Sequence, residues 1–163
     1  MNVILSATDD WGIGFENRLL FRVPEDMKRF RALTLGKVVV MGRNTFLSLP
    51  NQRPLDGRVN IVLSRDPAFA PDGVQVARST RELFTLLGEY QPDDVFVIGG
   101  AAVYRELLPF CRAAYVTRFH ATKQADSFFP CLDSDESWRL VERSDVREHD
   151  GLRFTFDRYE RVD

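Results

Sequence analysis

The sequence predicts an α/β fold with a mostly parallel, doubly wound central sheet of about eight strands and about four flanking helices. Short β-branched runs alternate with helical stretches along most of the chain, which is typical of βαβ units. Several runs are apolar at every position, as strands buried on both faces are. Two strand-like runs near the end of the chain have no helix between them, which predicts a C-terminal antiparallel hairpin at one edge of the sheet.

Two of the predicted elements have a distinct local sequence signal. Ser79 and Glu82 have the spacing of a capping box, so the start of the third helix is the most clearly marked boundary. In the hairpin, Leu152, Phe154 and Phe156 alternate along one strand and therefore share a face. The predicted strands span 2–7, 37–41, 59–64, 74–77, 94–98 and 113–117, the helices 24–34, 44–49, 79–90 and 101–108, and the hairpin strands 138–143 and 152–159.

Length and composition indicate one domain spanning residues 1–163. A chain of 163 residues buries roughly 70% of its unfolded surface, so its core needs no disulfide or metal. A hydrophobic content of 44% and 13 Phe residues are typical of a globular protein and not of a disordered one. No repeat or Gly-, Ser- or Pro-rich linker divides the sequence.

Net charge, apolar run length and cysteine and histidine spacing argue against several classes of partner and site. Lys and Arg number 22 against 24 Asp and Glu, and the formal charge of -2 offers no basic excess for nucleic acid. No apolar run reaches the ~18 residues of a membrane span. Residues 1–7 lack the basic and long apolar regions of a signal peptide, so we expect a cytoplasmic protein, and we expect it to be a monomer. The cysteine and histidine spacing predicts no metal site; these residues are Cys111, Cys131, His120 and His149.

The segments that follow the predicted strands are candidate ligand sites, because open parallel sheets bind ligands beyond the carboxyl ends of their strands. In Met41-Gly42-Arg43-Asn44-Thr45, glycine permits close backbone approach and a helix begins beside Arg43, which suits a phosphate. In Ile98-Gly99-Gly100-Ala101-Ala102, small residues allow a flat or anionic ligand to lie against the backbone. A tight turn that requires glycine is the alternative for either segment.

Three arginines, Arg43, Arg65 and Arg78, also follow predicted strands. If these strand ends adjoin, the arginines form a pocket for a doubly charged phosphate, the group that distinguishes NADP from NAD. Three solvated surface arginines are the alternative.

Asp26 is the candidate acid. It precedes Phe30 and Leu33 by four and seven positions, so the three side chains share one face of the first helix. The alternative is an acid that only complements the helix dipole. For an isolated aspartate the helix-start acid is the favoured interpretation, but Glu25 already supplies that charge, which shifts some weight to a site carboxylate.

The order of these segments resembles the dihydrofolate reductase family over nearly the whole chain. Each fragment alone is weakly specific, but their joint order and spacing are specific. The matching fragments are Gly12-Ile13-Gly14 with Asn17, Val23-Pro24-Glu25-Asp26 with Phe30, Met41-Gly42-Arg43 with Thr45, Arg53-Pro54-Leu55 with Gly57-Arg58, Asn60-Ile61-Val62-Leu63-Ser64, Val97-Ile98-Gly99-Gly100 with Val103-Tyr104, Thr117, and Asp126 with Phe129-Pro130.

The resemblance implies binding sites for dihydrofolate and NADPH. It places Asp26 on the 2-amino and N3 edge of the pterin, with Thr117 in support, and Arg58 on the α-carboxylate of the substrate. It implies further substrate contacts from Leu5, Met27, Phe30, Leu49, Leu55, Ile98 and Tyr104. It implies cofactor contacts from Ser6, Ala7, Ile13, Gly14, Gly42, Arg43, Asn44, Thr45, Leu63, Ser64, Arg65, Arg78, Gly99, Gly100, Ala101, Ala102, Val103 and Tyr104.

The implied reaction is NADPH-dependent reduction of 7,8-dihydrofolate to 5,6,7,8-tetrahydrofolate, which supplies one-carbon metabolism. Hydride passes from C4 of the nicotinamide to C6 of the pterin, and N5 gains a proton through water with the help of Asp26. Such a site has to align two flat rings in an apolar slot and place negative charge near N5. One buried carboxylate, whose pKa burial raises, is sufficient.

Three positions depart from the family pattern. Leu20-Phe21 stands where many members have Pro-Trp, so the resemblance does not carry the packing and gating of that loop over to this chain. Ser6 takes a position usually held by alanine, and the loop at 50–52 is longer by two residues than in short bacterial members. None of these changes removes a chemical group that the mechanism requires.

Two other functions remain open at this stage. A riboflavin-pathway pyrimidine reductase has the same fold, but its ribityl-phosphate substrate has no glutamate carboxylate for Arg58 to bind. A nucleotide-binding module without catalysis is the second alternative, with Asp26 as a simple helix-start acid. A turnover assay distinguishes that module from an enzyme.

Overall fold

The computed structural model, which describes residues 1–163, contains a nine-stranded mixed sheet and a separate two-stranded sheet. The strands are β1 (Asn2–Ala7), β2 (Gly12–Gly14), β3 (Val38–Gly42), β4 (Val59–Leu63), β5 (Gln75–Ala77), β6 (Val95–Gly99), β7 (Ala113–Phe119), β8 (Ser127–Phe128), β9 (Trp138–Arg143), β10 (Arg147–His149) and β11 (Leu152–Arg161). The small sheet consists of β2 and β8.

The large sheet confirms the predicted α/β class. Its strand order is β10-β11-β7-β1-β6-β3-β4-β5, and β9 pairs with β11. The contacts among β7, β1, β6, β3, β4 and β5 are all parallel, whereas β11 is antiparallel to its partners. Six parallel strands therefore end along one edge of the sheet.

Four α-helices flank this sheet: α1 (Pro24–Thr34), α2 (Arg43–Ser48), α3 (Thr80–Leu87) and α4 (Ala101–Leu107). Helix α1 begins at Pro24, whose fixed φ suits a first helical position and whose missing N–H would have had no helical partner there. Helix α3 ends three residues before the predicted Tyr90, because Gly88, a poor helix former, follows Leu87. None of the four has both the length and the apolar character of a membrane-spanning helix.

Strand alternation divides the core between the two faces of the sheet. Val38 and Val40 of β3 belong to a 23-residue cluster that includes side chains of α3 and α4. Val39 and Met41, on the opposite face of β3, belong to a five-residue cluster that includes a side chain of α2.

The C-terminal hairpin forms as predicted, with one addition. Strands β9 and β11 pair directly, and the short β10 between them in sequence also pairs with β11. Leu152, Phe154 and Phe156 share a face and pack with Val23 and Phe119 in a third cluster. This cluster fixes the segment before α1 against the sheet.

We expect Ser79→Ala to lower the free energy of unfolding by about 1 kcal/mol, because it removes the side-chain cap of α3. Ser79 Oγ accepts a hydrogen bond from the Glu82 N–H at 3.1 Å, and the Glu82 carboxylate accepts one from the Arg78 N–H. Urea denaturation measures the change. Ser79→Asp, which keeps an accepting oxygen, is the control, and equal midpoints for both variants would contradict the role of the cap.

Candidate active site

The predicted site segments collect at the edge where the parallel strands end. Ser6 of β1 lies beside Thr117 of β7 in the strand register. Further along the same edge, Gly42 of β3 lies beside Leu63 of β4, and Gly99 of β6 lies beside the residue that precedes Gly42. The fold therefore brings the predicted substrate and cofactor segments together.

Asp26, in the first turn of α1, contacts the sheet through Thr117. The Thr117 hydroxyl donates a hydrogen bond to Asp26 Oδ1 at 2.6 Å. Burial raises the pKa of Asp26 above its ordinary value, whereas the Thr117 hydrogen bond and the positive charge of Arg29 lower it. Because burial has the larger effect, this carboxyl takes up a proton at a higher pH than a surface aspartate does.

The adjacent Glu25 has a different environment. Its carboxylate forms an ion pair with Arg147 of β10, and both side chains are more than two-fifths exposed. The two neighbouring acids of α1 are thus separated: Glu25 is paired at the surface, and Asp26 is directed at Thr117.

The predicted apolar contacts fall into three places. Leu49, Leu55 and Ile98 all pack against the five-residue core cluster, so the structure brings these three together. Leu5 lies instead in the larger cluster, which covers the other face of the sheet. Met27 is 40% exposed on α1, and Phe30, one turn later, is half-buried.

Tyr104 is held inside the fold. Its hydroxyl donates a hydrogen bond to the Ile4 carbonyl oxygen at 2.8 Å, and burial raises the pKa of the phenol. Because this proton is donated to Ile4, the Tyr104 hydroxyl has no proton left to donate to a ligand.

Two glycine turns lie against each other at the starts of α2 and α4. A Cβ at Gly42 would lie 3.0 Å from Val103 Cγ2, and one at Gly100 would lie 3.4 Å from Thr45 Oγ1. Gly99 has a φ of +122°, which L side chains rarely adopt. Neither helix has a side-chain cap. The backbone conformation of Gly99 therefore requires glycine, and at Gly42 and Gly100 the absence of a side chain lets the two turns lie close together.

The three predicted arginines lie at or beside one turn, which spans residues 65–69. The Arg43 guanidinium lies 5.7 Å from the centre of the Phe69 ring, and Arg78 donates hydrogen bonds to the carbonyl oxygens of Asp66 and Phe69. Arg65 belongs to this same turn and is exposed. Arg78 therefore holds the turn in place, and Arg43 and Arg65 are the freer cations.

Arg58 is oriented by its neighbours. Its Nε donates to the Asp56 carbonyl oxygen at 2.9 Å, and its Nη1 donates to Thr34 Oγ1 at 3.1 Å. Burial and the like charge of Arg31 lower the pKa of Arg58, and Asp56 opposes them. Because Nη2 has no protein acceptor, one edge of the guanidinium is left for an anion.

The segment 12–22 is bridged to the rest of the site. Asp126 accepts a hydrogen bond from the Glu16 N–H, and Asn17 Nδ2 donates to the Asn44 carbonyl oxygen. Lys123 Nζ donates to the Leu20 carbonyl oxygen at 2.7 Å and lies 5.0 Å from the centre of the Phe21 ring. The predicted cofactor residues Ile13 and Gly14 lie in this bridged segment, which also contains the unusual Leu20-Phe21 pair.

Sequence reasoning missed two cations of this region. Arg29 lies beside Asp26, and its position three residues later on the same helix face was an available signal. Lys123 had no such signal, because its contact with Leu20 joins segments 103 residues apart.

Comparison with known proteins gives a consistent result. The family model described as dihydrofolate reductase matches residues 1–161. The dihydrofolate reductase of Neisseria meningitidis serogroup B is 33% identical over 160 residues, which cover 98% of this chain and 96% of that protein. The type 3 dihydrofolate reductase of Salmonella typhimurium is 41% identical over 132 residues, which cover 81% of this chain and 78% of that protein.

Longer relatives and a solved structure match as well. The bifunctional dihydrofolate reductase-thymidylate synthase of Glycine max is 35% identical over 98% of this chain, but the chain spans only 33% of that protein's length. The structure of Enterococcus faecalis dihydrofolate reductase complexed with NADP(H) and RAB-propyl has a TM-score of 0.88 and 32% identity, and the match covers 99% of this chain and 96% of that one. The chain belongs to the dihydrofolate reductase family.

Proposed function

We propose that this protein catalyses the NADPH-dependent reduction of 7,8-dihydrofolate to 5,6,7,8-tetrahydrofolate. The family match along residues 1–161 and the relatives named dihydrofolate reductase support this activity. The observation within the fold that supports it most is the Thr117–Asp26 hydrogen bond of 2.6 Å at the carboxyl-end edge of the sheet. It fixes one partly buried carboxyl where a flat, nitrogen-rich ring could bind.

The residues at the two glycine turns fit NADPH. The absence of side chains at Gly42, Gly99 and Gly100 leaves backbone N–H groups available to a pyrophosphate, and α2 and α4 have no side-chain caps that would compete. Arg43 and Arg65 lie beside the turn that would receive the additional phosphate of NADPH. When bound, NADPH supplies the hydride.

Asp26 orients the substrate and assists its protonation. A carboxylate accepts two parallel hydrogen bonds, and the 2-amino and N3 edge of a pterin offers such a pair of donors. The same negative charge stabilises the positive charge that develops when N5 gains a proton, with water as the proton carrier. Thr117 holds the carboxyl in one orientation by donating to Oδ1.

A turnover assay with purified protein tests the proposal. Loss of the near-ultraviolet absorbance of NADPH that depends on added dihydrofolate is the expected result. NADPH binding without turnover would indicate the nucleotide-binding module. Turnover only with a ribityl-phosphate pyrimidine would indicate the riboflavin-pathway reductase.

We further propose that the protein acts as a cytoplasmic monomer with a single domain spanning residues 1–163. The continuous nine-stranded sheet, to which both ends of the chain contribute strands, supports one domain. The formal charge of -2 gives no electrostatic basis for a nucleic-acid partner. Sedimentation of the full chain at micromolar concentration tests the monomer.

We expect Arg43→Ala to weaken the binding of NADPH about 10-fold, because it removes a charge-assisted contact with the 2'-phosphate. Arg43 is exposed, so we expect the lower end of the range for such contacts. Fluorescence titration with NADPH and NADH measures both dissociation constants. NADH binding should change little, as should both constants in the control Arg81→Ala on α3. An equal loss for both cofactors in Arg43→Ala would place Arg43 away from the 2'-phosphate.

A further inference from the structure

Arg29 lies on the same face of α1 as Asp26, one helical turn later. Its guanidinium carbon stands 4.5 Å from the centre of the Phe156 ring of β11 and 5.9 Å from that of the Tyr115 ring of β7. A guanidinium stacked on an aromatic face is held in position without losing its charge. Arg29 is therefore a half-buried, fixed cation next to the candidate acid.

Arg29 has no carboxylate within ion-pair distance of its own. The other acids around it are already paired with different arginines. The pairs are Asp157 with Arg143, Glu142 with Arg158, and Glu25 with Arg147. Asp26 is different, because its hydrogen-bond partner is the neutral hydroxyl of Thr117.

The charged or titratable groups around Arg29 come from five elements. Asp26 on α1 exerts the strongest stabilising Coulomb effect on the Arg29 cation, ahead of the charged or titratable groups on the strands. The other three acids each have an arginine partner, whereas Asp26 does not. The positive charge of Arg29 therefore has its largest unopposed effect on the Asp26 carboxylate. The groups on the strands are Glu142 on β9, Tyr115 on β7, and Asp157 and Arg158 on β11, and Arg147 of β10 lies 5.3 Å from the Phe156 ring centre.

We propose that Arg29 is a positioning residue for the reaction: fixed on Phe156, it favours the ionised form of Asp26 and thereby determines the pH range in which the substrate is protonated. This inference rests on the role proposed above for Asp26. Burial and the Arg29 charge act on the pKa of Asp26 in opposite directions, the first raising it and the second lowering it. Removing the cation should therefore raise the pKa further.

The experiment compares three variants of the full chain. Arg29→Gln removes the charge, Arg29→Lys keeps it, and Lys28→Gln removes a charge from the adjacent exposed position of the same helix. The pKa of Asp26 is measured by carboxyl carbon NMR in the unliganded protein, with the resonance assigned from Asp26→Asn. The pH dependence of the hydride-transfer rate is measured in single turnovers.

The expected result is specific to charge at position 29. Arg29→Gln should raise the pKa of Asp26 by about 0.5 to 1 unit and shift the pH profile of hydride transfer to higher pH by a similar amount. Arg29→Lys and Lys28→Gln should keep both quantities close to those of the parent. Thermal midpoints of the variants identify any loss of folding. If Arg29→Gln is unstable, a shift of either quantity in folded Arg29→Lys would by itself contradict an effect of the charge.

Other outcomes would overturn the inference. An unchanged Asp26 titration in folded Arg29→Gln would show that the cation does not act on Asp26. Equal shifts in the Lys and Gln variants would indicate a packing effect of Arg29 and not an effect of its charge. A shifted Asp26 titration with an unchanged pH profile would retain the electrostatic coupling but contradict the role of Asp26 in protonation, so the two failures are distinguishable.

Discussion

Asp26→Asn is expected to lower the turnover number for dihydrofolate by about 100-fold or more. The amide keeps the shape of the side chain and can still accept the hydrogen bond that Thr117 donates at 2.6 Å. It cannot supply the negative charge that stabilises a proton arriving at N5 of the substrate. Steady-state turnover at saturating NADPH measures the loss.

The same substitution should leave the thermal midpoint at neutral pH unchanged or raise it. Burial raises the pKa of Asp26, so the folded state keeps this proton to a higher pH than the unfolded state does. By linkage, ionisation of Asp26 destabilises the fold as pH rises from the unfolded-state pKa through the higher folded-state pKa, and Asn removes that cost. The difference in midpoint between variant and parent should shrink at pH values below the ordinary carboxyl pKa.

Glu25→Gln is the matched control, because it removes the adjacent carboxylate of α1. Glu25 pairs with Arg147 at the surface, so this variant should keep the parent's turnover and lose only a few tenths of a kcal/mol of stability. Near-normal turnover of Asp26→Asn together with a lower midpoint would assign Asp26 to the helix dipole. That result would remove it from the mechanism.

Local signals explain why most of the fold could be predicted. Ser79 and Glu82 determine the start of α3 through contacts within five residues of one another, and the structure contains that cap. The alternation of Phe154 and Phe156 predicts a face that the third core cluster confirms. The small sheet of β2 and β8 was missed because Gly12-Ile13-Gly14 has no apolar alternation and its pairing depends on a segment more than 100 residues away.

In the candidate site, too, local signals could be read from the sequence and long-range contacts could not. Asp26 could be proposed as a site acid from the sequence because its position relative to Phe30 and Leu33 is a property of one helix. The surroundings of its charge could not be, since Thr117 and Glu142 come from strands that the chain forms about 90 to 120 residues later. Which acids are left without an arginine partner depends on these long-range pairings.

Arg58→Leu is expected to raise the dissociation constant for dihydrofolate about 10- to 100-fold, with a small effect on the hydride-transfer rate. Arg58 is partly buried, and contacts with Asp56 and Thr34 hold its guanidinium with Nη2 unpaired. A carboxylate bound there gains a charge-assisted hydrogen bond without having to order the arginine first. Because this contact is far from the reacting atoms, its loss should weaken ground state and transition state equally.

A substrate without the carboxylate makes this last prediction specific. A dihydropterin that lacks the glutamate tail should bind Arg58→Leu as it binds the parent protein, whereas dihydrofolate should bind the variant more weakly. Arg139→Leu, which removes an exposed cation from β9, is the control for net charge and should leave both substrates unaffected. If Arg58→Leu weakened both substrates to the same extent, Arg58 would be acting on the shape of the pterin site through Thr34 and not on the substrate's α-carboxylate.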